Sequence, residues 1–227
     1  MIRAAAVCPQ PPLLFRELAG SQDAAEELRA ACHRAVSQVL TATPDVVVVI
    51  GGDERTAVWD VALAPAPGGF GGPAGGRRDG LPLSLGVGRR LLEEAGWTGP
   101  VELRAVAWDA DSAEVVRLGA GLAAHEDDVV LLVLGEGSAR RGDKAPGYVD
   151  DRAFGYDAET RRALADGHPE GLLRQDPRLA HELMAGGRAA FQVMAAAVRA
   201  QGASPRAEVH YSDDPFGVMY AVATWLL

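Results

Sequence analysis

Residues able to do chemistry concentrate where apolar runs give way to loops. The most unusual segment is Gly135-Glu136-Gly137-Ser138-Ala139-Arg140-Arg141-Gly142-Asp143-Lys144-Ala145-Pro146-Gly147-Tyr148. Its glycines let the backbone approach a ligand closely, and Arg140, Arg141 and Lys144 could hold a carboxylate or phosphate, the arginines in bidentate fashion. The alternative is a solvated basic loop paired with Glu17, Asp150 or Asp151. The segment is no P-loop, because Gly-Lys-Ser/Thr is missing, and Gly137-Ser138-Ala139 lacks the flanks of a nucleophile elbow. A second loop, Gly51-Gly52-Asp53-Glu54-Arg55, offers two carboxylates that could hold a cation or cap a helix beginning near Arg55. In the third, Cys8-Pro9-Gln10-Pro11-Pro12, Cys8 is either a small core residue or a thiolate facing the other loops, and Gln10 adds an amide. His33 and His181 fall in expected helices and His125 and His168 in polar turns, while His210 sits on a strand beside Asp213 and Asp214. No histidine pair has metal-ligand spacing. His210 reads as an ordinary strand residue or as a proton donor, and Asp53 and Glu136 are the carboxylates available to a metal.

These loops converge only if strands carry them to one edge. Ile2 to Cys8 is a short apolar run stopped by proline, as expected of a strand buried on both faces. Between Gln22 and Thr41, apolar residues at three-to-four spacing predict an amphipathic helix, and Val46 to Ile50 reads as the next strand. The order β-loop-α-β predicts a right-handed crossover and a parallel pair. Helices are expected over Leu83–Ala95, closed by Gly96, over Ser112–Leu122 with Asp111 or Ser112 as cap, over Ala158–Asp166, and over Pro177–Ala200 with an interruption near Gly186-Gly187. Strands are expected over Val101–Trp108, Val129–Leu134 and Glu208–Ser212, with a short apolar terminal element over Val218–Leu226. The Gly/Pro tract at 64–80 reads as a surface loop, with a lid as the alternative. The expected fold is therefore a single α/β domain over 1–227, with a mostly parallel central sheet flanked by helices on both faces. In such sheets ligands bind outside the carboxyl ends of the strands, which selects the three loops as one cleft. Its candidate residues are Cys8, Gln10, Asp53, Glu54, Glu136, Ser138, Arg140, Arg141, Lys144 and His210.

Composition narrows the partners. A net charge of -9 disfavours nucleic acid and anionic membrane, and no apolar run approaches the roughly 20 residues of a membrane span. Two cysteines without knuckle or disulfide spacing, and no signal-like N-terminus, point to a cytoplasmic protein.

Taken together, the loops resemble the class III extradiol ring-cleavage dioxygenases, of the catalytic beta-subunit type that also includes the MEMO-like proteins. Ala6 to Leu14 resembles the family's first strand and Pro-His-Pro-Pro-Leu loop, Val46 to Asp53 the strand ending in Ser-Pro-His, and Leu132 to Arg140 the strand ending in Ser-Gly-Asp-Leu-Ser-His. Ala145-Pro146-Gly147-Tyr148, Phe154-Gly155-Tyr156-Asp157, Asp176-Pro177 and Pro215-Phe216-Gly217-Val218-Met219-Tyr220 follow in the family's order. The resemblance implies that fold, an aromatic substrate and a non-haem Fe(II) held by two histidines and a glutamate, with a further histidine as acid/base. Here the first ligand position falls on Gln10, the second near Asp53 and the acid/base on Ala139. The glutamate is expected around Ala185 to Gly187, where no carboxylate stands and Glu182 is one turn away.

Three functions follow as expectations. One is a dioxygenase-like protein that has lost iron and cofactor but keeps a cleft for a small anionic or aromatic molecule. Another is an enzyme with a replaced site using Asp53, Glu136, Asp143 or His210, with or without a metal. The last is a non-catalytic partner subunit or homo-oligomer docking through the apolar end Trp225-Leu226-Leu227, against the commoner alternative that this end is buried within the monomer.

Overall fold

The computed structural model describes residues 1–19, 23–63 and 80–227. The Gly/Pro tract over 64–79, and with it the lid reading, lies outside them, as does the start of the first helix at Gln22. Seven strands form one sheet in the order β3-β4-β2-β5-β1-β7-β6. They are β1 (Ile2–Cys8), β2 (Val46–Asp53), β3 (Ala57–Trp59), β4 (Val101–Ala107), β5 (Val129–Leu134), β6 (Arg206–Asp213) and β7 (Tyr220–Leu226). The four central strands β4, β2, β5 and β1 are parallel, and β3, β7 and β6 pair antiparallel at the flanks. The chain is thus a single α/β domain with a mixed, mostly parallel open sheet.

The first two strands are parallel as expected, but they do not pair with each other. β5 lies between them, with Leu131 opposite Ala5 on one side and Val48 on the other. Val-Val-Leu-Leu-Val-Leu is buried at every position, so neither face of β5 nor either edge meets water. The centre of the sheet is where such a run belongs.

Alternation along the strands divides the core in two. Ala5, Val7, Val48, Ile50, Leu131 and Val133 face α3 (Ser112–Ala123), α7 (Arg188–Gln201), α4 (Arg152–Ala165) and α5 (Pro169–Leu173). Ala4, Ala6, Val47, Val49, Leu132 and Leu134 face α1 (Glu26–Leu40) and α2 (Leu83–Glu94). Helices therefore cover both faces.

Three expectations are corrected. No helix begins near Arg55, because β2 runs to Asp53 and the chain turns into β3 against β4. α4 starts at Arg152, six residues before the expected Ala158, where the Asp150 carboxylate accepts the Arg152 N–H. The segment after His168 forms the short α5, its first turn capped by the His168 imidazole accepting from Gly171 N–H. The apolar end is β7, an internal strand whose Trp225 is 1% exposed and donates from Nε1 to Leu164 O, the burial within the monomer that is the alternative to docking. The break between α6 (Pro177–Glu182) and α7 falls where glycines predicted it. There Met184 takes φ 55°, a left-handed value uncommon for a side-chain-bearing residue.

Close packing of α3 on α7 depends on small residues. A Cβ on Gly119 would stand 2.5 Å from Ala196 Cβ and 2.7 Å from Ala197 N, whereas one on Gly121 would meet nothing within 4 Å. Gly119→Ala is expected to lose about 2 kcal/mol by overpacking, net of the helix-propensity gain. Gly121→Ala should instead gain up to about 1 kcal/mol, so urea melts of the pair should shift in opposite directions.

Candidate functional site

At the carboxyl ends of β1 and β5 the backbone pairing continues one step, with Gly135 N–H donating to Cys8 O at 3.0 Å. This brings the next residues of both loops together: Gln10 N–H donates to Glu136 Oε1 at 2.9 Å. The turn into α7 closes on the same point, since Gly187 N–H donates to Glu136 O at 2.8 Å. A Cβ on Gly186 would lie 3.7 Å from Glu136 Oε2, so that carboxylate oxygen faces a position without a side chain. From the other side, Trp108 at the end of β4 is half exposed and its backbone N–H donates to Asp53 O. Its indole edge lies over Gly52, where a Cβ would meet Nε1 at 2.5 Å and Gly186 O at 3.1 Å. Gln10, Gly52, Trp108, Glu136 and Gly186 therefore form one cluster at the strand ends. Burial pushes the half-buried Glu136 carboxyl up to about 7, outweighing its bonds to the amides of Gln10 and Glu136 itself. Burial, and next the charge of Glu136, also raise the Tyr220 phenol nearby.

The other sequence candidates are dispersed. Cys8 is fully buried, and a hydrogen bond with Cys32 together with burial raises its thiol well above the usual range, so it is a core residue. Ser138 is also fully buried: its N–H and Oγ donate to Asp157 Oδ1 and Oδ2 at 2.8 and 2.5 Å. Arg141 pairs with Asp157 at 3.3 Å and Asp214 at 2.5 Å and lies over the Phe154 ring. Burial opposes its charge, yet these two carboxylates raise its affinity for the proton. Its partners are thus neither Glu17, which pairs with Arg90, nor Asp150, which pairs with Arg152. Arg140 donates to Tyr148 O and lines a separate groove of about 610 Å³ with Tyr148, Val149 and Met184. Asp143 borders that groove, while Lys144 is exposed. The three cations do not converge as an anion cradle. Asp53 is half-buried at the end of β2 and Glu54 is exposed beyond it. His210 is on the flanking strand β6, with Nε2 2.9 Å from Thr224 Oγ1 and two strands removed from β1, so it stands outside the cluster.

Trp108 and Gly186 are the site residues that the three-loop reading leaves out. The carboxyl-end rule applied to β4 selects Trp108. Gly186 carries no local signal beyond its helix break.

The donor set does not fit an iron triad. At the ligand positions Gln10 offers an amide, Asp53 a carboxylate where the resemblance expects an imidazole and Gly186 no side chain, Ala139 at the acid/base position has only a methyl group, and among the described residues no three His, Cys, Asp or Glu side chains are grouped to hold a metal.

Fold and site together define a single-domain α/β protein with a carboxyl at the mouths of its parallel strands. In comparison with known proteins, no family model and no curated protein matches the chain. Among solved structures it is similar to the crystal structure of an uncharacterized protein from Escherichia coli K12, at TM-score 0.53 and 14% identity over 99% of this chain and 100% of that one. That likeness concerns the fold. No helix among the described residues is long and apolar enough to cross a membrane.

Proposed function

We propose that the chain is a class III extradiol dioxygenase-like protein without the iron triad, which binds a small molecule in the strand-mouth cleft. The observation that carries this reading is the Glu136 carboxyl, held by Gln10 N–H against the bare Gly186. By resemblance, Gln10 and the 185–187 turn are positions of iron ligands. Here a carboxyl arrives from β5 instead, with no imidazole beside it. A cytoplasmic location belongs to the same proposal and is supported by two buried free thiols.

Purified protein supplied with Fe(II) is expected to retain well below one iron per chain and to leave catechol and protocatechuate uncleaved. Stoichiometric iron together with a yellow ring-opened product would overturn the reading.

The near-neutral Glu136 favours a second reading, an enzyme in which this carboxyl exchanges a proton with the bound molecule as general acid or base. On that reading Glu136→Gln abolishes turnover while leaving the fold intact.

A further inference from the structure

We propose that the strand-mouth cleft takes a protonated amine on an apolar or aromatic body, its ammonium group held by Glu136 Oε2, Gln10 Oε1 and Gly186 O and covered by the Trp108 indole. This rests on the small-molecule reading above and gives its ligand a charge.

The polarity of the unused groups decides it. Glu136 takes its hydrogen bonds from backbone amides, and no arginine, lysine or histidine among the described residues pairs with it. Gln10 Oε1 is buried and has no donor. Gly186 O lies beside the Trp108 indole edge, 3.1 Å from where a Gly52 Cβ would be, and no backbone amide among the described residues donates to it. Glu136 Oε2 and Gly186 O stand beside the open position over Gly186, where a Cβ would meet nothing nearer than that carboxylate oxygen at 3.7 Å, while the Trp108 indole fills the position over Gly52. An ammonium carries three donors and no acceptor, so it complements this set. A carboxylate or phosphate would meet the like charge of Glu136 and the carbonyl of Gly186. The half-exposed Trp108 adds an aromatic surface suited to a cation. Of the nearby cations, Arg141 is neutralised by Asp157 and Asp214, and the Arg188 guanidinium is turned to Trp108 O, Ala110 O and Gln192 Oε1.

The test compares three probes of nearly one shape: 2-phenylethylamine, 2-phenylethanol and 3-phenylpropionate. Each is titrated into the ¹⁵N-labelled full chain at pH 8, with the Trp108 indole N–H, assigned through Trp108→Phe, as reporter. The amine is expected to shift that resonance and to bind at least ten-fold tighter than the alcohol, with no shift from the carboxylate. Glu136→Gln should remove the ten-fold preference and leave the weaker alcohol binding in place. Gln10→Leu should weaken the amine more than the alcohol, which keeps the idea testable if Glu136→Gln folds poorly. Preference for the carboxylate or the alcohol at Trp108 overturns the amine assignment and leaves the small-molecule cleft standing. No shift of Trp108 by any probe, or amine binding unaffected by both substitutions, overturns both.

Discussion

Replacing Asp157 by alanine is expected to destabilise the protein by about 3 kcal/mol and to loosen the whole loop that follows β5. Asp157 is 2% exposed on α4, and its two oxygens accept from the Ser138 amide, the Ser138 hydroxyl and the Arg141 guanidinium. Burial pushes this carboxyl up, while the Ser138 bonds and then Arg141 pull it back. Removing it leaves a buried amide and hydroxyl without partners and takes one of two counter-charges from Arg141. Arg141 keeps Asp214 at the half-exposed rim, which holds the loss below that of a fully broken buried pair. Ser138→Ala removes only the hydroxyl and should cost about 1 kcal/mol. Chemical denaturation of the two variants therefore separates the anchor from the residue it anchors. Because the same loop carries Glu136, Asp157→Ala should also broaden the Trp108 indole resonance. An intact Trp108 signal and a loss under 1 kcal/mol would mean that the loop is held by its backbone bonds to Met219 and Leu183 instead.

That anchor was not legible in the sequence, and the reason is physical. The basic run Arg140-Arg141 looks the same whether it faces a ligand or an acidic partner, and the partners of Arg141 stand 16 and 73 residues away. Local patterns did disclose the strands that are almost wholly apolar, Ile2 to Cys8 apart from the exposed Arg3, Val46 to Ile50 and Val129 to Leu134, because burial on both faces leaves no polar alternation to misread. Their lateral order was not disclosed. Nothing within β5 states that it separates β1 from β2, and only the competition of all strands for the two-sided interior places it there. The three-residue β3 escaped notice because an edge strand this short, with Val58 77% exposed, has neither the length nor the alternation of a strand signal. The site shows the same division. Chain termini of strands identified Gln10 and Glu136, since strand ends are local. The same rule also swept in Cys8 and Ser138, whose side chains turn inward, a matter of register that composition does not express.

Glu136 should make the protein less stable as pH rises, and its removal should reverse this. Its folded carboxyl titrates near 7, against 4.5 for an ordinary glutamate. Below the lower value the carboxyl is protonated in both folded and unfolded chains, and it costs nothing. Between the two values the folded chain holds a proton that the unfolded chain has released, so stability falls with rising pH. Above the upper value both are ionised, and the full loss is in place. A shift of this size corresponds to roughly 3 kcal/mol, reduced to about 2 by the partial exposure of the side chain. Glu136→Gln keeps the shape and can still accept the Gln10 N–H but has no charge to bury. The variant should therefore be more stable than the parent by about 2 kcal/mol at pH 9 and nearly equal to it at pH 4. Denaturation midpoints measured across that range check the sign as well as the size. A parent curve flat between pH 4.5 and 7.5 would show that Glu136 is solvated like a surface glutamate. An ammonium ligand should restore at pH 8 the stability that ionisation removed, raising the parent's midpoint more than that of Glu136→Gln at the same ligand concentration.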